Sequence, residues 1–323
     1  MLKEGALTVM KTMISCIIPC YGSQKTIAAV VDSLKAELSR RDNYDYEIIL
    51  VNDASPDDVM DVIVSMTNAD SHIKALDLSR NFGQHGAYMA GINHAQGDIF
   101  IFMDDDGQTP PSQLWKLIDA LDNTCDVVFG KYESKKHSIW RNICSGINDY
   151  MAQVLIGKPK NLTISSYFAF KKFVAREIVL YKGCFPYLSG LVLRTTKRIK
   201  NIPVEHNDRT TGTSGYTLSK LLILWMNGFT AFSIKPLRMA GIMGFLVSAI
   251  GFIYGLVIII RRLFITPYIP LGWSSSMAAL LFVGGMIMII LGMIGEYVGR
   301  IYMNINNAPQ YVVRERIGFE DDK

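Results

Sequence analysis

Residues 99–111, Ile-Phe-Ile-Phe-Met-Asp-Asp-Asp-Gly-Gln-Thr-Pro-Pro, join an apolar run to three consecutive carboxylates. The apolar part predicts a buried strand, and the Gly and the two prolines predict that this strand ends at the acids. Adjacent carboxylates disfavour one another's ionisation, and a hard divalent cation with oxygen ligands relieves that repulsion. Mg²⁺ takes only one or two protein carboxylates and binds substrate phosphates as well. The stretch therefore predicts a cation site at a strand end, with a solvated acidic turn as the alternative.

The sequence around this stretch alternates between strand and helix patterns. Strands are predicted over residues 14–18, 46–51, 73–78 and 99–103, with helical patterns over 26–39, 59–66 and 86–95. Such alternation is typical of an α/β fold with a mostly parallel sheet covered on both faces. Polar runs follow three of the strands, at Asn52-Asp53, Ser79-Arg80-Asn81 and Asp104–Asp106. Because ligands of such sheets bind beyond the carboxyl ends of the strands, we expect the functional site there.

The second half of the chain contains two long apolar stretches. Half of the 323 residues are apolar, the formal net charge is +4, and residues 239–260 and 274–295 contain no charged side chain. About 20 residues suffice for a helix to cross a hydrocarbon core of roughly 30 Å, so both stretches are predicted to be transmembrane helices. Residues 216–232 have apolar residues at helical spacing, which predicts an interfacial helix or, alternatively, a core helix of the soluble domain.

The orientation of the predicted spans follows from the charges beside them. Basic residues flank the outer ends of the spans, namely Lys235, Arg238, Arg300, Arg314 and Arg316, against Arg261 and Arg262 in the connecting loop. This bias favours a cytoplasmic N-terminal domain and tail. No signal-peptide pattern is present at the N-terminus, in agreement with that orientation. The five cysteines include no pair with Cys-x-x-Cys spacing, which fits a reducing compartment better than disulfides or a zinc site.

Six short motifs follow the predicted strands or precede the first span. They are Ile18–Tyr21, Val51–Ser55, Leu78–Gly83, Gly97-Asp98, Met103–Pro111 and Asp208–Ser214. Together they resemble the family 2 glycosyltransferases with the GT-A fold. More narrowly, they are similar to the polyprenyl-phosphate glycosyltransferases, the group of dolichol-phosphate mannose synthase and bactoprenol-phosphate sugar transferases. The run Ser79–Gly83 and the Gln-x-Pro-Pro after the acids are specific to this subgroup, whereas a bare Asp-x-Asp is not.

The resemblance implies a division of the chain into four segments. They are a cytoplasmic GT-A glycosyltransferase domain over residues 1–215, an amphipathic interfacial helix over 216–236, a two-helix transmembrane region over 237–299 and a cytoplasmic tail over 300–323. The fold class implied is thus an α/β GT-A nucleotide-diphospho-sugar transferase domain followed by membrane helices.

The resemblance also implies roles for individual residues. Donor nucleotide binding is expected at Pro19, Tyr21, Asp53, Asp104, Asp105 and Arg209. Catalysis is expected to depend on Asp104, Asp106 and Arg209, with Mg²⁺ or Mn²⁺ at Asp106 and Gln108. The acceptor phosphate is expected at Lys131, Arg141 and Ser145.

Several of these residues have simpler local interpretations. Asp53 could cap a helix, as Asp often does, and Arg80-Asn81 could brace its own loop. Lys131 and Arg141 could form a solvated basic face, or a general attraction to anionic lipid of about 1 kcal/mol per residue.

The chain departs from the family pattern at three places. Gly22-Ser23 replaces the family's Asn-Glu, so the base contact differs. The small-Gly/Asp-Phe-Arg motif is Ser165-Ser166-Tyr167-Phe168, without the carboxylate or the arginine. Gly215 stands where mannose synthases often have Lys, an ending closer to bacterial undecaprenyl-phosphate sugar transferases, including the aminoarabinose type.

We therefore expect inverting, metal-dependent transfer of a sugar from a nucleotide-sugar, a UDP-sugar, to undecaprenyl phosphate in the bacterial inner membrane. The acceptor phosphate has a second pKa near 6, so it is anionic at neutral pH and needs no strong base. The expected partners are the donor, the acceptor, the lipid bilayer and further copies of this chain, but no nucleic acid.

Other functions fit the sequence less well. Another lipid acceptor, either a lipid-linked sugar or a diacylglycerol, and a non-catalytic nucleotide-sugar-binding subunit remain as alternatives. A processive polysaccharide synthase would need a Gln-x-x-Arg-Trp motif, which the sequence lacks. A transporter would need ionisable residues within the spans, and Glu296 lies only at the end of the second one.

Overall fold

The computed structural model describes residues 11–132, 153, 157–205, 235–264 and 272–319. They belong to two compact units, Met1–Leu222 with Asn307–Lys323, and Ile223–Asn306.

An eight-stranded sheet organises the described part of the first unit. Its strands are β1 (Thr12–Cys20), β2 (Tyr44–Asn52), β3 (Ile73–Leu78), β4 (Ile99–Phe102), β5 (Val127–Tyr132), β6 (Phe168–Lys171), β7 (Ile199–Val204) and β8 (Val313–Ile317). They lie in the order β7-β5-β6-β4-β1-β2-β3-β8. Strands β4, β1, β2 and β3 are parallel, while β6 and β8 run antiparallel to their neighbours. The predicted α/β class with a mostly parallel sheet is confirmed.

Helices cover both faces of this sheet. They are α1 (Ile27–Leu38), α2 (Val59–Ala69), α3 (Gln84–His94), α4 (Leu114–Asp119), α5 (Lys172–Val179) and α6 (Leu188–Thr195), with a 3₁₀ turn at Pro111–Gln113. Leu34 of α1 shares a fully buried cluster with Ile18 of β1. On the opposite face, Gly91 of α3 lies against Ile17, where a Cβ would come within 2.4 Å of the Ile17 side chain. Burial on both faces explains why β1 is apolar at almost every position.

A buried glutamate joins three strands at the amino edge of the sheet. Glu47 is 1% exposed and accepts hydrogen bonds from Ser15 Oγ (2.6 Å), Gln96 N (2.6 Å) and Lys74 Nζ (2.7 Å). The Gly97 N–H donates to Ser15 Oγ at 2.8 Å, and a Cβ on Gly97 would lie 2.4 Å from that oxygen. Gly97 is therefore required by close packing.

The neighbouring Asp98 is also held by hydrogen bonds that belong to the fold. Its carboxylate accepts hydrogen bonds from Lys172 Nζ (2.9 Å) and Met13 N (3.2 Å). The Gly97-Asp98 motif thus lies at the amino end of β4, at the opposite end of that strand from the acids.

The segment after the second long helix returns to the sheet. Strand β8 pairs antiparallel with β3, with Arg316 opposite Leu76 and Glu315 opposite Asp77. Part of the predicted tail, residues 300–323, is therefore an edge strand of the sheet, a feature absent from the sequence-based description.

The second unit contains two long helices, α7 (Lys235–Phe264) and α8 (Trp273–Ile305). Both are long and apolar enough to cross a membrane, with mean hydropathy 2.0 over Ala240–Val257 and 1.8 over Phe282–Ile305. Large apolar side chains face outward, as at Phe245 and Phe252, which are 73% and 74% exposed. A core helix of a soluble domain would bury such residues. Residues 216–234 of the predicted interfacial helix lie outside the described residues.

Candidate active site

Hydrogen bonds connect the loops that follow β1, β2 and β4. The Tyr21 N–H donates to Asp105 Oδ2 at 3.0 Å, and Thr26 Oγ1 donates to the Asp105 carbonyl at 2.7 Å. The Gly22 N–H donates to Ser55 Oγ at 2.7 Å. Since β4, β1 and β2 are adjacent and parallel, their carboxyl ends meet at one edge. The predicted convergence of polar strand ends is therefore present.

Asp53 holds the loop that precedes α3. Its carboxylate is 3% exposed and accepts hydrogen bonds from Phe82 N (2.7 Å) and Gly83 N (2.8 Å). Burial raises the pKa of Asp53, and the two N–H bonds oppose that rise. Gly83 has a φ of +78°, a conformation that favours glycine and directs its N–H to the carboxylate. Arg80 lies over the Phe82 ring at 4.7 Å, within this same loop.

Asp104, the first of the three consecutive acids, is half-buried and held by two side chains. Its Oδ1 accepts a hydrogen bond from Gln84 Nε2 at 2.8 Å, and its Oδ2 accepts one from Ser166 Oγ. Burial, reinforced by the negative charges of Asp106 and Asp105, raises the pKa of Asp104 to about 6, while both hydrogen bonds lower it. The carboxylate is thus fixed in place by neutral donors.

The next two acids fit a divalent cation shared with a phosphate ligand. Burial and the nearby Asp106 charge raise the pKa of Asp105, which a bound cation would reverse. Asp106 Oδ1 accepts the Gln108 N–H at 3.0 Å, which shapes the turn at this position. The described residues contain no cluster of three or more His, Cys, Asp or Glu side chains suited to a metal. An ion that needs only one or two carboxylates and completes its shell with phosphates and water suits these oxygen donors.

The Ser165–Phe168 motif contributes a serine to the site. Ser166 reaches Asp104, whereas Tyr167 is fully buried in the core. The Tyr167 hydroxyl has no hydrogen-bond partner in the part of the chain that the structure describes. Ser166, a neutral hydroxyl, occupies the Gly/Asp position of the family motif, so this chain presents no carboxylate there.

The predicted site residues differ in how the structure places them. Tyr21 is 55% exposed beside Asp105, and Pro19 is half-buried one position before the end of β1. Lys131 is exposed on β5, and no described contact joins it to the acids. Three predicted residues lie outside the described residues: Arg141, Ser145 and Arg209.

Sequence reasoning missed Gln84 and Ser166, the two side chains that hold Asp104. Gln84 directly follows the Ser79–Gly83 motif, so extending that motif by one residue would have included it. Ser166 lies inside a motif interpreted only through the carboxylate that it lacks. Ser55, which accepts the Gly22 N–H, was quoted as part of a motif without a role.

Two family models match the chain. One, described as glycosyl transferase family 2, covers residues 15–179, and the other, described as the GtrB C-terminal hairpin, covers residues 235–301.

Relatives of similar length match almost the whole chain. Undecaprenyl-phosphate 4-deoxy-4-formamido-L-arabinose transferase of Yersinia pestis (strain Pestoides F) is 30% identical over 309 residues, which cover 95% of this chain and 94% of that protein. Uncharacterized glycosyltransferase YkcC of Bacillus subtilis (strain 168) is 30% identical over 318 residues, which cover 96% and 95%.

Solved structures show the same fold. Glucosyl-3-phosphoglycerate synthase from Mycobacterium tuberculosis, in complex with Mn²⁺ and uridine-diphosphate-glucose, superposes with a TM-score of 0.53 at 16% identity. The match covers 68% of this chain and 77% of that chain. The expected GT-A fold is thereby confirmed.

Proposed function

Because this chain belongs to glycosyltransferase family 2, we propose that it transfers a sugar from a nucleotide-sugar, a UDP-sugar, to undecaprenyl phosphate. One observation carries the proposal: Asp104–Asp106 lie at a sheet edge where the loops after β1, β2 and β4 are joined by hydrogen bonds. The relative named as an undecaprenyl-phosphate transferase supports this acceptor because it matches over nearly the full length of both chains.

The acids would bind the diphosphate of the donor through a divalent cation. Asp106 and Gln108 would hold Mg²⁺ or Mn²⁺, which would supply positive charge to the departing nucleotide diphosphate. Asp104, fixed by Gln84 and Ser166, would keep one position while the donor binds. The exposed Tyr21 ring would contact the nucleotide.

The acceptor would need little activation by the protein. A polyprenyl monophosphate is already anionic at neutral pH, so its oxygen can attack the anomeric carbon without a general base. This agrees with the neutral Ser166 hydroxyl at the position where relatives carry a carboxylate. A single displacement of this kind inverts the anomeric centre. Arg209 would bind the leaving diphosphate, and Lys131, Arg141 and Ser145 would bind the acceptor phosphate.

The two apolar helices support a location in the membrane, where the polyprenyl tail dissolves. We place the chain in the bacterial inner membrane with its catalytic domain on the cytoplasmic side, in keeping with the basic residues that flank the spans. Assembly of several copies through the apolar helices is part of the same proposal.

The test is an assay with purified full-length protein in detergent. Undecaprenyl phosphate is incubated with a panel of UDP- and GDP-sugars, with Mg²⁺, with Mn²⁺ or with a chelator, and the lipid products are identified by mass spectrometry. We expect glycolipid from one donor, lost with chelator and in Asp106→Asn. Asp58→Asn removes an exposed carboxylate at the start of α2 and should behave as wild type.

The other outcomes contradict separate parts of the proposal. Product that forms equally in chelator contradicts the metal requirement. Donor binding without undecaprenyl product contradicts the acceptor. Product on a lipid-linked sugar or on diacylglycerol would then assign the alternative acceptor.

A further inference from the structure

We infer that Arg314, in strand β8, is a positioning residue for the donor nucleotide and acts through Asp77 and Asn52. The inference rests on the proposed function, because it assigns the loops after β1, β2 and β3 to donor binding. Arg314 lies beyond both apolar helices in the chain, 237 positions from Asp77.

The first step is a buried carboxylate with two different partners. Asp77, near the carboxyl end of β3, is 7% exposed. Its Oδ2 accepts a hydrogen bond from Arg314 Nη1 at 3.3 Å, and its Oδ1 accepts one from Asn52 Nδ2 at 2.7 Å. Among the described residues, Arg314 is the cation paired with Asp77. A buried carboxylate that loses its cation is unfavourable, so removal of the guanidinium changes the position of Asp77.

The second step is the orientation of the Asn52 amide. Asp77 takes its N–H₂ end, so its Oδ1 faces Ser55 and accepts the Ser55 N–H at 3.0 Å. Ser55 Oγ in turn accepts the Gly22 N–H at 2.7 Å and donates to Asp57 Oδ1 at 2.6 Å. An amide has one donor end and one acceptor end. The position of the Asp77 carboxylate therefore determines which end of Asn52 faces Ser55.

The third step is a second contact made by the same guanidinium. Arg314 Nη2 donates to the Ser79 carbonyl at 3.1 Å, at the start of the Ser79–Gly83 loop. That loop carries the Phe82 and Gly83 N–H groups that bind Asp53. One arginine from β8 therefore contacts the loop after β3 directly and reaches the loop after β2 through Asp77 and Asn52, and both loops belong to the proposed nucleotide site.

A second arginine on β8 provides a control, which distinguishes a positioning role of Arg314 from a role in attaching β8 to the sheet. Arg316 is also exposed, faces Leu76 in the register, and forms no ion pair among the described residues. The Arg314 side chain is 62% exposed, so its removal leaves the buried core intact. Nucleotide affinity should therefore change more than thermal stability.

The experiment measures UDP and GDP binding by isothermal titration calorimetry, with Mg²⁺, on the full-length protein in detergent. We expect Arg314→Gln to weaken the preferred nucleotide roughly fivefold, since residues along such networks modulate coupling by that order. Arg314→Lys keeps the charge but loses the planar two-point contact, so its affinity should be intermediate. Arg316→Gln should bind as wild type does. In the transfer assay, Arg314→Gln should raise the donor KM and leave kcat within about twofold.

A double-mutant cycle identifies the route. In an Asp77→Asn background, Arg314→Gln should cause a smaller loss of affinity than in the wild type, because the connection through Asp77 is already broken and only the Ser79 contact remains. Equal affinity of wild type and Arg314→Gln overturns the inference, and so does an equal loss in Arg316→Gln. If Arg314→Gln does not fold, wild-type affinity of Arg314→Lys overturns it. A wild type that binds neither UDP nor GDP overturns the proposed function together with this inference.

Discussion

Carboxylates at the amino ends of the central strands are held differently from Asp104, which follows the carboxyl end of β4. At the amino edge, Glu47 pairs with Lys74 at 2.7 Å and Asp98 with Lys172 at 2.9 Å. At the carboxyl edge, no lysine or arginine of the described residues forms an ion pair with Asp104, whose partners are the Gln84 amide and the Ser166 hydroxyl.

We infer that this difference separates structural acids from functional ones. The hydrogen bond from Lys172 lowers the pKa of Asp98, whereas burial raises the pKa of Asp104 to about 6. A carboxylate paired with lysine is already neutralised, while one held by neutral donors keeps its charge for a cation or a substrate.

Replacement of one acid by asparagine at each edge should have opposite effects on activity and on stability. Asp104→Asn removes a charge held for the ligand, so kcat/KM should fall about 100-fold, the order found for lost electrostatic stabilisation. Metal-free Asp104→Asn should keep its thermal unfolding temperature, because a buried charge is removed. Asp98→Asn should lose stability and keep its activity. Equal activity loss in both variants would contradict the distinction between the edges.

Gly97→Ala should disrupt the close packing at the amino edge of the sheet. Its Cβ would lie 2.4 Å from Ser15 Oγ, in a site where overpacking costs about 1–3 kcal/mol. We expect a lower thermal unfolding temperature of the purified protein, with donor KM unchanged in the molecules that remain folded. Gln96→Ala, at an exposed side chain whose backbone N–H binds Glu47, is the matched control. Unchanged stability of Gly97→Ala would show that the edge can relax.

Ser166→Ala should lower activity by a smaller factor than Asp104→Asn does. It removes one of the two donors that hold Asp104, and loss of such a bond to a charged group corresponds to about tenfold in kcat/KM. Ser165→Ala is the control, since within the described residues that hydroxyl donates to the Tyr167 carbonyl and not to an acid of the site. If Ser166→Ala is as active as Ser165→Ala, the hydroxyl of Ser166 has no role in the site.

The smallest expected effect is on the pH dependence of the unfolding temperature. Lys35 Nζ lies 2.5 Å from Asp70 Oδ2, and this hydrogen bond holds the pKa of Asp70 below its usual range. Because the folded pKa lies below the unfolded value of about 3.9, this contribution to stability is present above that pH and is lost as the pH falls further. Asp70→Asn should flatten the fall in unfolding temperature between roughly pH 5 and pH 3. Asp61→Asn, at an exposed position of α2, should retain the wild-type slope.

Much of the catalytic sheet could be predicted from local sequence. Buried parallel strands appear as apolar runs, so β1 to β4 and the helices between them were located within a few residues. The acids were found because they are consecutive and follow such a run. The apolar helices of the second unit were equally evident, since about 20 uncharged residues suffice for a span.

The partners of those acids could not be predicted in the same way. Gln84 and Ser166 lie 20 and 62 positions from Asp104, and sequence spacing does not indicate which donor meets which oxygen. Asp53 is of a residue type that often caps helices, yet its carboxylate binds N–H groups 29 and 30 positions away.

The sequence alone determined the class of the fold, the position of the acid cluster and the two apolar helices, because each depends on neighbouring residues. Only the tertiary structure decided which acids are paired with lysine and which are held by neutral donors. It also placed β8 beside β3 and Arg314 on Asp77, 237 positions apart. The physical reason is that a hydrogen bond depends on the distance between two atoms in space, and the packing of the sheet determines that distance.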